Sequence, residues 1–203
     1  MRIIKVGVID YGMGNHASVK QTLLELGYRS FVSSNLKELD SADVLVLPGV
    51  GAFPAAMQAL KKLGLDDYLQ RKQKHGYPII GICLGMQLLT SASNEFEYIQ
   101  GLDLIPGEFI CLDNKLPHIG WNTISTARTD TFFFDSIGDE FYFNHSYAYS
   151  GPKEYQVAIV HHMQEFAACI QHEKVVGLQF HPEKSQLAGK SLMKRIICGL
   201  LDD

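Results

Sequence analysis

The first half of the chain alternates short apolar runs with segments whose apolar residues recur at helical spacing. Ile3 to Ile9 predicts a strand, followed by the glycine-rich loop Asp10-Tyr11-Gly12-Met13-Gly14-Asn15. His16 to Leu26 predicts a helix ending at Gly27, because glycine takes the left-handed conformation beyond a helix end without steric penalty. Arg29 to Val32 reads as a short strand. Val44-Leu45-Val46-Leu47 is apolar at every position, as a strand buried on both faces must be, and Pro48-Gly49-Val50-Gly51 stops it. Phe53 to Leu63 and Asp66 to His75 predict helices, and Pro78 to Ile82 a strand running into Gly81-Ile82-Cys83-Leu84-Gly85-Met86-Gln87. This alternation predicts an α/β fold, a mostly parallel sheet with helices on both faces.

The pattern changes in the second half. Short strand-like runs follow one another at Gly107 to Leu112, Trp121 to Ser125, Glu140 to Phe143, Gln156 to Val160, Phe166 to Gln171 and Val175 to Phe180. Turn residues at Asp113-Asn114, Ser150-Gly151-Pro152 and Glu173-Lys174 separate them, which predicts antiparallel pairing. Ser185 to Leu200 predicts an amphipathic helix with Leu187, Leu192, Ile196 and Leu200 near one face. Without a linker, repeat or low-complexity stretch, one domain over 1–203 is expected.

Composition narrows the function classes. An apolar fraction of 46%, a charged fraction of 20% and a net charge of −4 suit a globular protein without a basic face for nucleic acid. No run approaches the roughly 20 apolar residues of a membrane-spanning helix. Met1 to Gly7 passes straight into a strand and does not read as a signal peptide. Cys83, Cys111, Cys169 and Cys198 show neither Cys-x-x-Cys pairs nor zinc-ligand spacing, so a reducing, cytoplasmic setting is expected. Cys111, Cys169 and Cys198 read as core thiols.

Cys83 stands apart because Gly81 and Gly85 bracket it directly after an apolar run, as a sharp strand-to-helix elbow requires. A second apolar run, Val175 to Phe180, leads into His181-Pro182-Glu183. A thiol at the end of one strand and an imidazole with a nearby carboxylate at the end of another make a Cys-His-Glu hydrolytic triad. Taken alone, Glu183 could equally be a solvated loop charge. His75, His161, His162 and His172 lie in polar stretches and are expected at the surface, while His16, His118 and His145 lack an adjacent carboxylate.

Ligands of open α/β sheets bind beyond the carboxyl ends of the strands. Four unusual loops, at 10–15, 48–51, the elbow and 181–183, all follow predicted strands. The first has Gly-x-Gly at 12 and 14, but Ala17 stands where a dinucleotide fingerprint has its third glycine, and no acidic residue ends the next strand near Val32. It is expected to line the mouth of the site instead. The two glycines of Pro48-Gly49-Val50-Gly51 let backbone N–H groups turn toward a ligand, and with the Leu84 N–H they would form an oxyanion hole. A tight turn into the next helix would by itself account for one of them.

The elbow Gly81 to Gln87 and His181-Pro182-Glu183 together resemble the paired signatures of class I glutamine amidotransferases of the triad type. Asp10 to Asn15, Pro48 to Gly51, Pro117-His118-Ile119-Gly120-Trp121-Asn122, Phe141 to Tyr147 and Gln179 to Ser185 extend the resemblance over nearly the whole chain. They select the branch of glutaminase subunits of imidazole glycerol phosphate synthase. The resemblance implies a three-layer fold with a largely parallel central sheet and an antiparallel β-rich second half. It implies hydrolysis of L-glutamine to glutamate and ammonia by Cys83, His181 and Glu183, with oxyanion donors around Val50 and Leu84. Gly49, Gly51, Gln87, Ser146 and Tyr147 would contact glutamine, and no metal or organic cofactor is needed.

A (β/α)8-barrel cyclase would receive the ammonia within a heterodimer, for histidine biosynthesis, and Asn15, Trp121, Asn122, Tyr142 and Lys184 would face it or carry its signal. The branch also implies weak activity of the isolated chain, since its loop at 48–51 holds an inactive peptide orientation until the partner is loaded. Trp121, the only tryptophan, fits an exposed interface anchor, with a core aromatic as its other reading. Two positions depart from the branch: Asn144 replaces an apolar residue, and Thr90 to Phe96 lacks an acidic cluster. They leave open a paralogue that supplies ammonia for amidino groups on surface glycans. Outside the family stand a non-catalytic scaffold, against which the intact triad argues, and a cysteine peptidase or deglycase of related fold, which usually lacks the Trp121 and Tyr142 blocks.

Overall fold

The computed structural model describes residues 2–112, 117–125 and 132–202, so the turn expected at Asp113-Asn114 lies outside the described residues. In chain order the elements are β1 (Lys5–Ile9), α1 (His16–Glu25), β2 (Arg29–Ser33), α2 (Leu36–Leu39), β3 (Val44–Gly49), α3 (Phe53–Lys62), α4 (Leu65–Lys74), β4 (Ile79–Cys83) and α5 (Leu84–Leu88). They continue with β5 (Thr90–Ser93), β6 (Ile99–Gln100), β7 (Ile105–Cys111), β8 (His118–Thr123), β9 (Glu140–His145), β10 (Tyr147–Ser150), β11 (Gln156–His162), β12 (Gln164–His172), β13 (Val175–Leu178) and α6 (Gln186–Leu201).

The central sheet has seven strands in the order β11-β12-β13-β4-β3-β1-β2. From β13 to β2 every pairing is parallel, and β11 and β12 add an antiparallel edge. The strands of the second half therefore do not segregate from the first. Three extend the central sheet, while the others form a four-stranded sheet, β10-β7-β5-β6, and the two-stranded pair β8-β9.

Alternation along each buried strand feeds two cores. Val44 and Val46 of β3 join Val6, Val8, Ile80 and Ile82 on one face, under α1 and α6. Leu45 and Leu47 join Ile79 on the other, under Phe53, Met57 and Leu60 of α3 and Leu69 of α4. Period-two side-chain direction makes a continuous apolar run serve both layers. Three expectations need correction. Leu187 is 78% exposed, since five residues of helix carry it about 140° around the axis from the buried Leu192. Cys111 and Cys198 are half-buried, unlike Cys169. His162 and His172 are half-buried too.

Two pieces gave no pattern to read. The α2 turn is too short for periodicity and is held by the Asn35 side chain, which accepts from the N–H groups of Lys37 and Glu38. Strand β5, Thr-Ser-Ala-Ser, lacks apolar alternation and forms by hydrogen bonding between β6 and β7. No described helix is long and apolar enough to cross a membrane.

The strand order places the site. The carboxyl ends of β13, β4, β3 and β1 lie side by side, with Leu178 opposite Ile82 and Gly49 opposite Cys83. The four unusual loops therefore emerge at one edge of the sheet.

Candidate active site

The elbow forms because α5 begins at once after β4 and folds back onto the neighbouring strand. A Cβ at position 81 would lie 2.7 Å from the carbonyl of Gly85, and one at Gly49 would lie 2.8 Å from the Gly85 nitrogen. These glycines are demanded by close approach. The unusual dihedral falls on Cys83 itself, at φ 55° and ψ −111°, outside the comfortable regions for an L-residue. The turn throws the thiol outward while keeping it almost buried. Its sulfur lies 3.7 Å from the carbonyl oxygen of Asn144.

His181 is held from three sides. Its N–H donates to the Tyr142 carbonyl at 2.9 Å, its carbonyl accepts from Ser185 Oγ at 2.6 Å, and α6 presses against Pro182. Gly189 permits that approach, because a Cβ there would lie 2.0 Å from the Pro182 oxygen. His181 Nδ1 stands 2.9 Å from Glu183 Oε1, and Asn15 Nδ2 donates to the same oxygen at 3.3 Å. Both side chains of the pair are almost fully buried, which removes the reading of Glu183 as a solvated loop charge. Burial works against a charged His181 ring, but hydrogen bonds and charges from Cys83 and Glu183 outweigh it and push its pKa up to about 9. The imidazole is thus coupled to the thiol on one side and the carboxylate on the other.

Cys83 and His181 open onto one cleft of about 250 Å³, which Val50, Gly51, Leu84, Gln87, Ser146, Tyr147 and Lys184 also line. Gly49 does not line it. It lies behind, where a Cβ would meet the Tyr11 hydroxyl at 2.7 Å. The loop at 10–15 likewise supports the site from the rear instead of lining its mouth: Tyr11 donates to the Pro48 carbonyl at 2.9 Å, and Asn15 holds Glu183. The Leu84 N–H is the first of a helix and has no intrahelical acceptor.

Trp121 is 46% exposed, which excludes the core reading. Its ring packs edge-on to Tyr142 at 6.0 Å, and Lys184 Nζ lies 5.5 Å from the Tyr142 ring centre. Asn122 turns elsewhere, toward the His161 carbonyl and the His118 ring.

Three lining residues escaped the sequence reading: Glu95, Asn144 and His145. Glu95 lies in the segment noted for lacking an acidic cluster, and its Oε2 accepts from the Phe53 N–H at 2.6 Å while the residue faces the cleft. An acid just beyond Thr90-Ser91-Ala92-Ser93 is the available signal. His145 lacks a carboxylate neighbour, and only the fold brings it to the wall. The arrangement can form and break an acyl–sulfur bond in a narrow polar cleft, with a proton carrier beside the sulfur.

Comparison with known proteins supplies the family. The chain is 42% identical over 197 residues to "Imidazole glycerol phosphate synthase subunit HisH" of Lactococcus lactis, covering 95% of this chain and 98% of that one. It is 43% identical over 194 residues to the protein of the same name from Moorella thermoacetica, covering 93% and 92%. Among solved structures, PurLQS from Thermotoga maritima superposes with a TM-score of 0.77 at 17% identity, over 98% of this chain and all of that one, a likeness of fold. The family model for glutamine amidotransferase class-I matches residues 7–197. From the elbow to the closing histidine, this chain belongs to the class I glutamine amidotransferase family.

Proposed function

We propose that the protein is the glutaminase subunit of imidazole glycerol phosphate synthase, releasing ammonia from L-glutamine for histidine biosynthesis. The observation that carries the reading is the coupling of His181 to Cys83 on one side and to Glu183 Oε1, 2.9 Å away, on the other, at the wall of a polar cleft.

The Cys83 thiolate attacks the side-chain amide carbon of glutamine, and the oxyanion meets N–H donors at Leu84 and the Val50 loop. Glu183 accepts a hydrogen bond from Nδ1–H and fixes the His181 tautomer, leaving Nε2 to take the thiol proton and pass it to the departing ammonia. Water, activated by the same imidazole, then cleaves the γ-glutamyl thioester to glutamate and regenerates the thiol. Gly51, Gln87, Ser146 and Tyr147 bind the amino acid, and the Glu95 carboxylate meets its ammonium group. Gly49 shapes this pocket through the backbone.

Ammonia released into water would be protonated and diluted, so it passes to a (β/α)8-barrel cyclase bound over the face that carries Trp121, Tyr142 and Lys184. Glutamate release should be low for the isolated chain and rise at least tenfold with a loaded barrel cyclase, while Cys83→Ala abolishes turnover and keeps the complex intact. A Cys83→Ala protein that still hydrolyses glutamine would sink the nucleophile assignment. Stimulation by the cyclase of an amidino-sugar pathway alone would move the acceptor from histidine to glycan synthesis.

A further inference from the structure

The chain turns a corner where β9 ends at His145 and β10 begins at Tyr147, passing from the two-stranded sheet to the four-stranded one. Ser146 stands at the apex, and both Ser146 and Tyr147 face the cleft. The Ser146 carbonyl accepts from the Leu112 N–H at 2.9 Å. The Tyr147 carbonyl lies 2.8 Å from His145 Nδ1. A carbonyl only accepts, so Nδ1 of His145 carries the proton and its Nε2 is a lone pair. His118 Nδ1 lies 3.1 Å from that lone pair and must donate to it. His118 Nε2 is then the acceptor for Asn122 Nδ2, 3.3 Å away. The Asn122 amide cannot be flipped, because its oxygen accepts from the Thr123 N–H at 2.9 Å and its nitrogen donates to the His161 carbonyl at 3.0 Å.

Every donor in the chain meets one acceptor, in a single direction, and the matching works only with two neutral imidazoles that both carry the proton on Nδ1. The surroundings keep them neutral. His118 is stacked between Phe143 at 4.4 Å and His162 at 4.3 Å, and Phe166 meets both rings edge-on. Burial, helped by His162, pulls His118 down to about 4. Burial pulls His145 down to about 3 against the Tyr147 carbonyl, with His118, His162 and His181 acting in the same direction as burial.

We propose that His118 and His145 are positioning residues: their one-way hydrogen-bond chain from Asn122 to the Tyr147 carbonyl fixes the Ser146–Tyr147 corner that forms the glutamine-binding wall. The inference rests on the glutaminase reading for its substrate, and on geometry alone for its tautomers.

Two measurements on the full chain test it. Long-range ¹⁵N–¹H correlation spectra at neutral pH should show both rings as the Nδ1–H tautomer, the less populated form of a free imidazole. Either ring found as Nε2–H or as imidazolium overturns the chain. In the complex with the cyclase, His145→Leu should raise KM for glutamine about tenfold with kcat changed less than about threefold. His145→Asn, which retains a donor for the Tyr147 carbonyl, should recover most of that loss. Equal KM values for the two variants would overturn the positioning role even with the tautomers as expected. Correct tautomers in a wild-type protein that turns over no glutamine with any cyclase would instead defeat the glutaminase reading, and the role in glutamine binding with it.

Discussion

A Cβ at position 85 would lie 1.8 Å from the carbonyl oxygen of Leu47. That approach lets α5 start directly at Cys83 and rest against β3, so the position of the Cys83 thiol depends on a missing methyl group. Backbone cannot yield as a flexible side chain can. Gly85→Ala should lower unfolding stability by about 3 kcal/mol or more, as read by denaturant titration. A loss below about 1 kcal/mol would show the elbow to be far softer than this contact implies.

Glu183→Gln tests the charge beside His181. The amide keeps the shape of the side chain and can still accept from His181 Nδ1, but the charge that supports an imidazolium is gone. Turnover of glutamine with the cyclase should fall on the order of a thousandfold, mostly in kcat. A loss under about tenfold would mean that the buried pair at 2.9 Å is structural.

The His181 pair also predicts a pH signature. The folded-state pKa, about 9, lies above the ordinary 6.5. Its stabilising contribution is therefore complete below about 6.5 and lost as pH rises through about 9. Melting temperatures over that window should decline in the wild type. They should decline less in Cys83→Ala, where one of the two partners that raise the value is absent.

His118 and His145 predict the opposite slope on the acid side. Their folded-state values, about 4 and about 3, lie below the ordinary 6.5. Below pH 6.5 the unfolded chain binds protons that the folded chain refuses, so stability falls as the pH drops toward these values. The slope should approach about 2 to 3 kcal/mol per pH unit near pH 5 from the two groups together. Replacing His145 by Asn should roughly halve it in denaturant titrations. An unchanged slope would place the responsible groups elsewhere.

Glu95→Gln separates two duties of one side chain. The amide oxygen can still accept from the Phe53 N–H, so thermal stability should hold, while the charge proposed to meet the substrate ammonium is lost. KM for glutamine should rise about tenfold or more. A fall in melting temperature with unchanged KM would reduce Glu95 to a helix cap.

Much of this was legible from residue order. Apolar runs ending in glycine-rich loops mark the parallel strands, and the topology rule for such sheets gathers the loops at one edge. The two-glycine bracket around Cys83 gave the elbow. What stayed hidden depends on contacts between distant segments. Nothing local marks His118 and His145 as bonded to each other, because β8 and β9 must first pair. The Glu95 carboxylate gains meaning only beside the start of α3. The close packing of Gly49 against Tyr11 and Gly85 follows from the sheet register that sets it opposite Cys83, which no local pattern shows.

The dihedral at Cys83 has one more consequence. With φ at 55°, every L-residue placed there inherits the same discomfort, and only the achiral residue escapes it. The usual ranking, in which glycine is the poorer guest by about 0.5 to 1 kcal/mol, should therefore vanish or invert at this one locus. An inactive protein built for crystallography or partner-trapping would then be hardier with Gly at 83 than with Ala.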